Sequence, residues 1–278
     1  MKVPRSLLYV PAASPSMLRK IPSLAADAFV VDLEDGVSAH QKESARELLR
    51  EAAAARLIPE SVPWMLRVNR VGSPGHEDDL SLAEALRPPF VLLPKAEDPE
   101  EVRDLADWFF GHGSKTALMI ETARGVASAR ELAGCHEGIA ALVVGSADLR
   151  MSLRARPDED RSWERHALAE ILLAARASSI LAIDSVFFRF RDDEGLRRHA
   201  SIARGLGYDG KSCIHPAQIP VIHEVFAPTP DEVGWARRVV EAWRTLDGER
   251  RGVLVVDGEM IEALHVTVAG RILERSGA

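Results

Sequence analysis

Two apolar runs, ALMIE at 117–121 and ALVVGSAD at 141–148, decide how this chain is read. Each is a string of aliphatic residues closing on an acid, Glu121 in the first and Asp148 in the second, and each precedes a helix-like segment. An α/β enzyme sets carboxylates at the carboxyl edge of a parallel sheet in this way. Two such acids on neighbouring strands suit one hard cation, Mg²⁺ or Mn²⁺, which takes oxygen ligands and keeps positions for water and substrate oxygens.

Working outward, the same pattern recurs. SLLYVPA (6–12), AFVVDLED (28–35), WMLRVN (64–69) and FVLLPK (90–95) come before this pair, and LAIDSVFF (181–188) and GKSCIHP (210–216) come after it. Helix signals separate them: Ser14 as a cap, Ala45, Leu48, Leu49 and Ala52 on one face, the Asp98-Pro99 start, and Gly134 ending the helix TARGVASARELAG. After Asp148 a polar loop, RMSLRARPDEDRS, leads to a long helix from about Trp163 to Ser178. About eight strand–helix alternations is the number that closes a (β/α)8 TIM barrel rather than leaving an open doubly wound sheet, and no GxGxxG or P-loop spacing contradicts it.

The barrel is expected over 1–228, with a helical and hairpin extension of the same domain over 229–278. In that extension VLVVDGEMI (253–261) reads as a strand, an Asp257-Gly258 turn and a returning strand, followed by a helix through about Arg275. Its apolar residues are not needed by a closed barrel, so the extension is expected to pack on a neighbouring subunit.

Composition sets bounds on partners. The chain has 278 residues, 46% of them hydrophobic and 28% charged, enough for a substantial core. The balance of 35 basic and 42 acidic residues gives −7, with no basic run to track a phosphate backbone, so nucleic acid is not an expected partner. Cys135 and Cys213 lack metal-ligand spacing and make no disulfide framework, which fits a reducing cytoplasm. The amino end is too short and too soon broken by Pro11 for a signal peptide, and no run approaches the roughly 20 apolar residues of a membrane span.

Strand ends of a barrel share one mouth, so Asp32, Glu34, Asp35, Arg67, Lys95, Glu121, Asp148, Asp184 and His215 form one candidate set. Lys95 has two readings, an ion pair with Glu34 or Asp35 and an amine that forms a Schiff base with a carbonyl substrate. His215, before Pro216, reads as an organiser of the last loop.

The motifs VPAASPSML, VVDLEDGVSAHQKESAR, LRVN, LLPKAED, MIETARGV, VVGSADL, GKSCIHPAQIPVI and VVDGEMIEA make the chain, from about Ser6 to Ala269, resemble the citrate lyase β-subunit-like proteins grouped with the HpcH/HpaI aldolases. The resemblance implies a TIM barrel, commonly trimeric. Its activity would be Mg²⁺-dependent making or breaking of a carbon–carbon bond between an acyl thioester and a 2-oxo acid such as oxaloacetate or pyruvate. It implies metal ligation by Glu121 and Asp148, with Glu121 also at the substrate, and substrate binding by Arg67. It further implies an acid reaching a neighbouring subunit's site, which falls on Glu262, where the family motif usually has aspartate. The thioester is expected on coenzyme A. The alternatives are the β subunit of a citrate lyase complex using an acyl carrier protein, a metal-dependent pyruvate-type aldolase without a thioester, and a non-catalytic binding module.

Overall fold

The computed structural model describes residues 3–245 and 252–277. Residues 246–251, inside the expected extension, lie outside that description, as do the two ends. Among the described residues, eight parallel strands pair in sequence order and close on themselves. They are β1 (Ser6–Pro11), β2 (Ala28–Asp32), β3 (Trp64–Arg67), β4 (Phe90–Leu93), β5 (Lys115–Ile120), β6 (Ile139–Val144), β7 (Leu181–Asp184) and β8 (Gly210–Cys213). Closure is by β1 against β8, with Ser6 opposite Lys211 and Leu8 opposite Cys213. The strands are aliphatic on both faces because helices cover the outside and side chains fill the inside. Each of the eight runs read from the sequence holds one of them.

Alternation along these strands selects what enters the barrel. Leu7, Val30, Met65, Leu92, Met119, Val143 and Ile183 form one buried cluster, with Tyr9 packed against it. Continuing that parity toward the carboxyl ends brings Asp32, Arg67 and Glu121 onto the inner face, in register with one another where Asp32 pairs with Arg67. The mouth chemistry therefore follows from the same period of two that builds the core.

The helices are α1 (Pro15–Lys20), α2 (Lys42–Ala54), α3 (His76–Leu86), α4 (Pro99–Gly111), α5 (Ala123–Ala127), α6 (Ala129–Gly134), α7 (Ser146–Leu153), α8 (Arg165–Ala177), α9 (Asp193–Leu206) and α10 (Ile219–Phe226). On α2, Ala45, Leu49 and Ala52 are buried as expected. Asp98 caps α4 by accepting from the Glu100 amide at 2.9 Å, with Pro99 first in the helix. Two differences stand out. The expected single helix after Glu121 is two, broken at Ser128, and the segment after Asp148 read as loop begins as α7. Asp148 thus lies in the first turn of a helix, where a carboxylate is favoured by the exposed amides.

The chain divides into two compact units, Met1–Val225 and Phe226–Ala278. The second contains α11 (Pro230–Arg244), β9 (Leu254–Val256), β10 (Glu259–Ile261) and α12 (Ala263–Ser276). Thr229 caps α11 in a reciprocal bond pair with Glu232. β9 and β10 form the expected antiparallel hairpin, and its turn residues Asp257 and Gly258 both take positive φ, as a tight hairpin turn requires. Val256 and Ile261 pack with Ala236, Val239 and Ala269, while Val253, Val255 and Met260 are exposed. No helix among the described residues is long and apolar enough to cross a membrane.

Candidate active site

The end of β2 supplies the organising acid. Asp32 is buried, and its carboxylate accepts from the amides of Glu34 (2.8 Å) and Gly36 (2.9 Å), which folds the Leu33–Gly36 turn around it. A Cβ on Gly36 would overlap that carboxylate, so the turn needs glycine. The same two oxygens take Arg67 side-on, from Nε at 2.7 Å and Nη2 at 2.6 Å. Arg67 Nη1 donates to the Met119 sulfur at 3.7 Å and stands 2.8 Å from Glu34 Oε2 as an ion pair. A guanidinium has five N–H groups, so Asp32 and the Met119 sulfur leave Arg67 at most two for a substrate, one on each terminal nitrogen.

Behind the turn, the DLED and KxxAR motifs explain each other. Lys42 Nζ donates to the carbonyls of Leu33 and Glu34, both at 2.6 Å, and to Asn69 Oδ1 at 2.7 Å, satisfying all three of its protons. Asp79, fully buried, accepts from the Asn69 amide and side chain and from Arg46 Nη1. His76 donates through Nδ1 to the Asn69 carbonyl at 2.8 Å. The loops after β2 and β3 are thereby tied together, fixing Glu34 and Arg67 at one height.

Glu121 follows β5 and is buried, with Oε1 accepting from the Lys95 amide at 2.8 Å. Lys95 holds that amide in place with φ of +49°, a left-handed conformation that a lysine adopts only under constraint. On the other side a Cβ at Gly145 would collide with the Glu121 carboxylate, so the glycine of VVGSAD makes room for the acid. Burial first, and then the charge of Glu34, pushes the Glu121 carboxyl up to about 8. Asp148 is one-third exposed and shares Lys95 with Glu34, the Lys95 ammonium standing 3.9 Å from Asp148 and 3.1 Å from Glu34.

A buried carboxylate crowded by two other acids fits a cation, which would offset the charge that now favours protonation. Among the described residues no three His, Cys, Asp or Glu side chains gather closely enough to hold an ion by themselves. Glu121 and Asp148, both lining the mouth, could hold such an ion, and two carboxylates would suit Mg²⁺ with its retained waters better than an ion needing a full protein cage.

Arg67, Glu121 and Asp148 line one cavity of about 330 Å³, together with Tyr9, Asp32, Asp35, Met119 and Phe188. Burial works against the charge of Lys95, but Glu34 outweighs it and holds the ammonium above its usual range, consistent with the ion-pair reading and not with a neutral amine. Asp184 does not join the mouth. Ile183 faces the barrel interior, so Asp184, one residue on, faces the helices, where it receives Arg161 (2.7 and 3.0 Å) and Lys211 (2.6 Å). His215 is exposed and accepts from the Ala217 amide at the end of β8, ordering that loop. Glu262 belongs to the second unit, at the start of α12, where its amide donates to His265 Nδ1 at 2.9 Å. What strand-end counting missed is Tyr9, which period-two parity from Leu7 would have found, and the paired glycines 36 and 145.

The geometry can be set against known proteins. Residues 5–216 match the family model HpcH/HpaI aldolase/citrate lyase. The chain is 35% identical to a (3S)-malyl-CoA thioesterase of Cereibacter sphaeroides across 99% of this chain and 95% of that one. It is 34% identical to the mitochondrial citramalyl-CoA lyase of Rattus norvegicus, covering 93% and 81%. In three dimensions it is similar to protein CitE from Mycobacterium tuberculosis, crystallised with magnesium, acetoacetate and coenzyme A, with a TM-score of 0.84, 34% identity and coverage of 100% and 99%. A motif series spread over the barrel, a family match spanning most of its length and full-length relatives above 30% identity agree: the chain belongs to the HpcH/HpaI aldolase/citrate lyase family.

Proposed function

We propose that this protein is a Mg²⁺-dependent carbon–carbon lyase. It would split, or in reverse form, a 3-hydroxy acyl thioester of the citryl-, malyl- or citramalyl-CoA type, with an acetyl thioester and a 2-oxo acid as the other side of the reaction. The observation that carries this reading is the shared mouth of Glu121, Asp148 and Arg67, two acids and one cation on a cavity sized for a small acid. Relatives named for malyl-CoA, citramalyl-CoA and a magnesium–coenzyme A complex support the substrate class.

Cleavage removes the proton of the 3-hydroxyl, and the C2–C3 bond breaks with its electron pair passing to C2 as a thioester enolate. The oxo acid departs, and C2 takes a proton to become the acetyl methyl. Glu121 and Asp148 would hold Mg²⁺, which would supply Lewis acidity toward the oxo acid. Arg67 holds the substrate carboxylate with the N–H groups that Asp32 and Met119 leave, and adds positive potential where the enolate develops. Glu262 moves the proton at the thioester methyl, entering the mouth of a neighbouring copy in a homotrimer. The exposed Val253, Val255 and Met260 support that assembly, since a lone copy would present them to water. A cytoplasmic setting accords with its two free cysteines.

A second reading, thioester hydrolysis, is favoured by the malyl-CoA thioesterase relative. Products separate the two. Incubating malyl- and citramalyl-CoA with the protein and Mg²⁺ should yield acetyl-CoA with glyoxylate or pyruvate, and chelation should stop it. Free coenzyme A with malate or citramalate would instead establish hydrolysis, and acyl-carrier thioesters as the only substrates would make it a citrate lyase subunit.

A further inference from the structure

We propose that Tyr9 is a substrate-binding residue whose hydroxyl donates a hydrogen bond to the carboxylate of the 2-oxo acid, completing the grip that Arg67 begins. The inference rests on the reading of this cavity as a 2-oxo acid site.

Tyr9 is on β1, two residues beyond Leu7 and so on the inner face of the barrel, and its ring lines the cavity. The ring lies under Arg67, with Cζ 5.2 Å from its centroid. Its hydroxyl is buried and has no hydrogen-bond partner among the described residues. A buried hydroxyl without a partner destabilises a fold, and phenylalanine would fill the same space without that cost. Arg67 itself has few N–H groups to spare: Asp32 takes its side-on fork and the Met119 sulfur takes an N–H of Nη1. A substrate carboxylate has about four lone-pair sites, more than the two N–H groups left to it. The Tyr9 phenol is neutral, because burial raises it beyond the help that Arg67 gives the phenolate, so it has a proton to donate. A carboxylate arriving on Arg67 thus meets an O–H that the empty fold leaves unused.

The test is calorimetric titration of pyruvate and of oxaloacetate into wild type and Tyr9→Phe, both loaded with Mg²⁺, alongside thermal melts. We expect the oxo-acid Kd to rise about tenfold or more in Tyr9→Phe, as for a hydrogen bond to a charged group. Its Mg²⁺ affinity should be unchanged and its Tm equal or higher. Equal oxo-acid affinity in the two proteins would overturn the role, as would a lowered Tm with equal affinity, which would show the hydroxyl satisfied within the fold. Failure of wild type to bind either oxo acid with Mg²⁺ would overturn both this inference and the proposed function beneath it.

Discussion

Asp32 receives two parallel N–H bonds from Arg67, 2.7 Å from Nε and 2.6 Å from Nη2, with both side chains buried. This pair fixes the cation of the mouth and decides which of its N–H groups remain. Asp32→Asn removes the compensating charge while leaving Arg67 buried, which costs about 3 kcal/mol or more for a pair of this kind. Urea unfolding should show that loss, and oxo-acid affinity should fall with it because Arg67 is no longer held side-on. A loss under about 1 kcal/mol, the range of an exposed pair, would contradict the assignment.

Gly145 gives a test of the Glu121 site that leaves every charged group in place. A methyl at this position overlaps the Glu121 carboxylate. Gly145→Ala should therefore displace Glu121 and weaken Mg²⁺ binding about tenfold, the effect of disturbing a ligand's support, at a stability cost of about 1–3 kcal/mol. Unaltered Mg²⁺ affinity would mean that Glu121 does not hold the ion from this position.

Acid stability should report the buried cluster around Asp184. His199 accepts from Lys211 Nζ at 2.8 Å, and burial followed by the Lys211 charge pushes its imidazole from 6.5 down to about 2. Its folded value lies below its unfolded one, so below pH 6.5 the unfolded chain binds a proton that the native state refuses. Stability present in full above pH 6.5 is then lost at about 1.4 kcal/mol per pH unit as the pH falls toward 2. His199→Gln keeps an acceptor for Lys211 but cannot titrate. Between pH 6 and 5 its unfolding free energy should fall less steeply than wild type by about that amount, and equal slopes would refute the neutral-histidine account.

The shared-site proposal is checked by mixing two inactive proteins, Glu262→Ala and Asp148→Ala, under conditions that exchange subunits. If Glu262 serves a neighbour's mouth, some mixed sites hold both intact groups and activity partly returns. No recovery despite proven exchange, or full activity in a demonstrated monomer, would defeat it.

The barrel was legible because each strand is an aliphatic run bounded by helix signals, and eight such units have one common solution. Glu121 was legible for the same reason. Asp148 was found through its neighbour ALVVG, although it occupies the first turn of α7 and not a strand end, since run-end reading locates a residue only to within a turn. Asp184 shows the limit of that reading: one step of register sends it to the helices, and only the parity of Ile183 distinguishes the two faces. The hold of Asp32 on Arg67 crosses two strands, and nothing local in DLED or LRVN announces it. Tyr9 lies inside the apolar run SLLYVPA, where nothing local marks it out.

Joint ligation of one Mg²⁺ by Glu121 and Asp148 at the mouth is decided by calorimetric Mg²⁺ titration of wild type, Glu121→Gln and Asp148→Asn. Circular dichroism would confirm that each is folded. Wild type should show one site, and each variant a loss of affinity of at least about tenfold, as even an outer partner's removal gives. Unchanged Mg²⁺ affinity in both folded variants would contradict it.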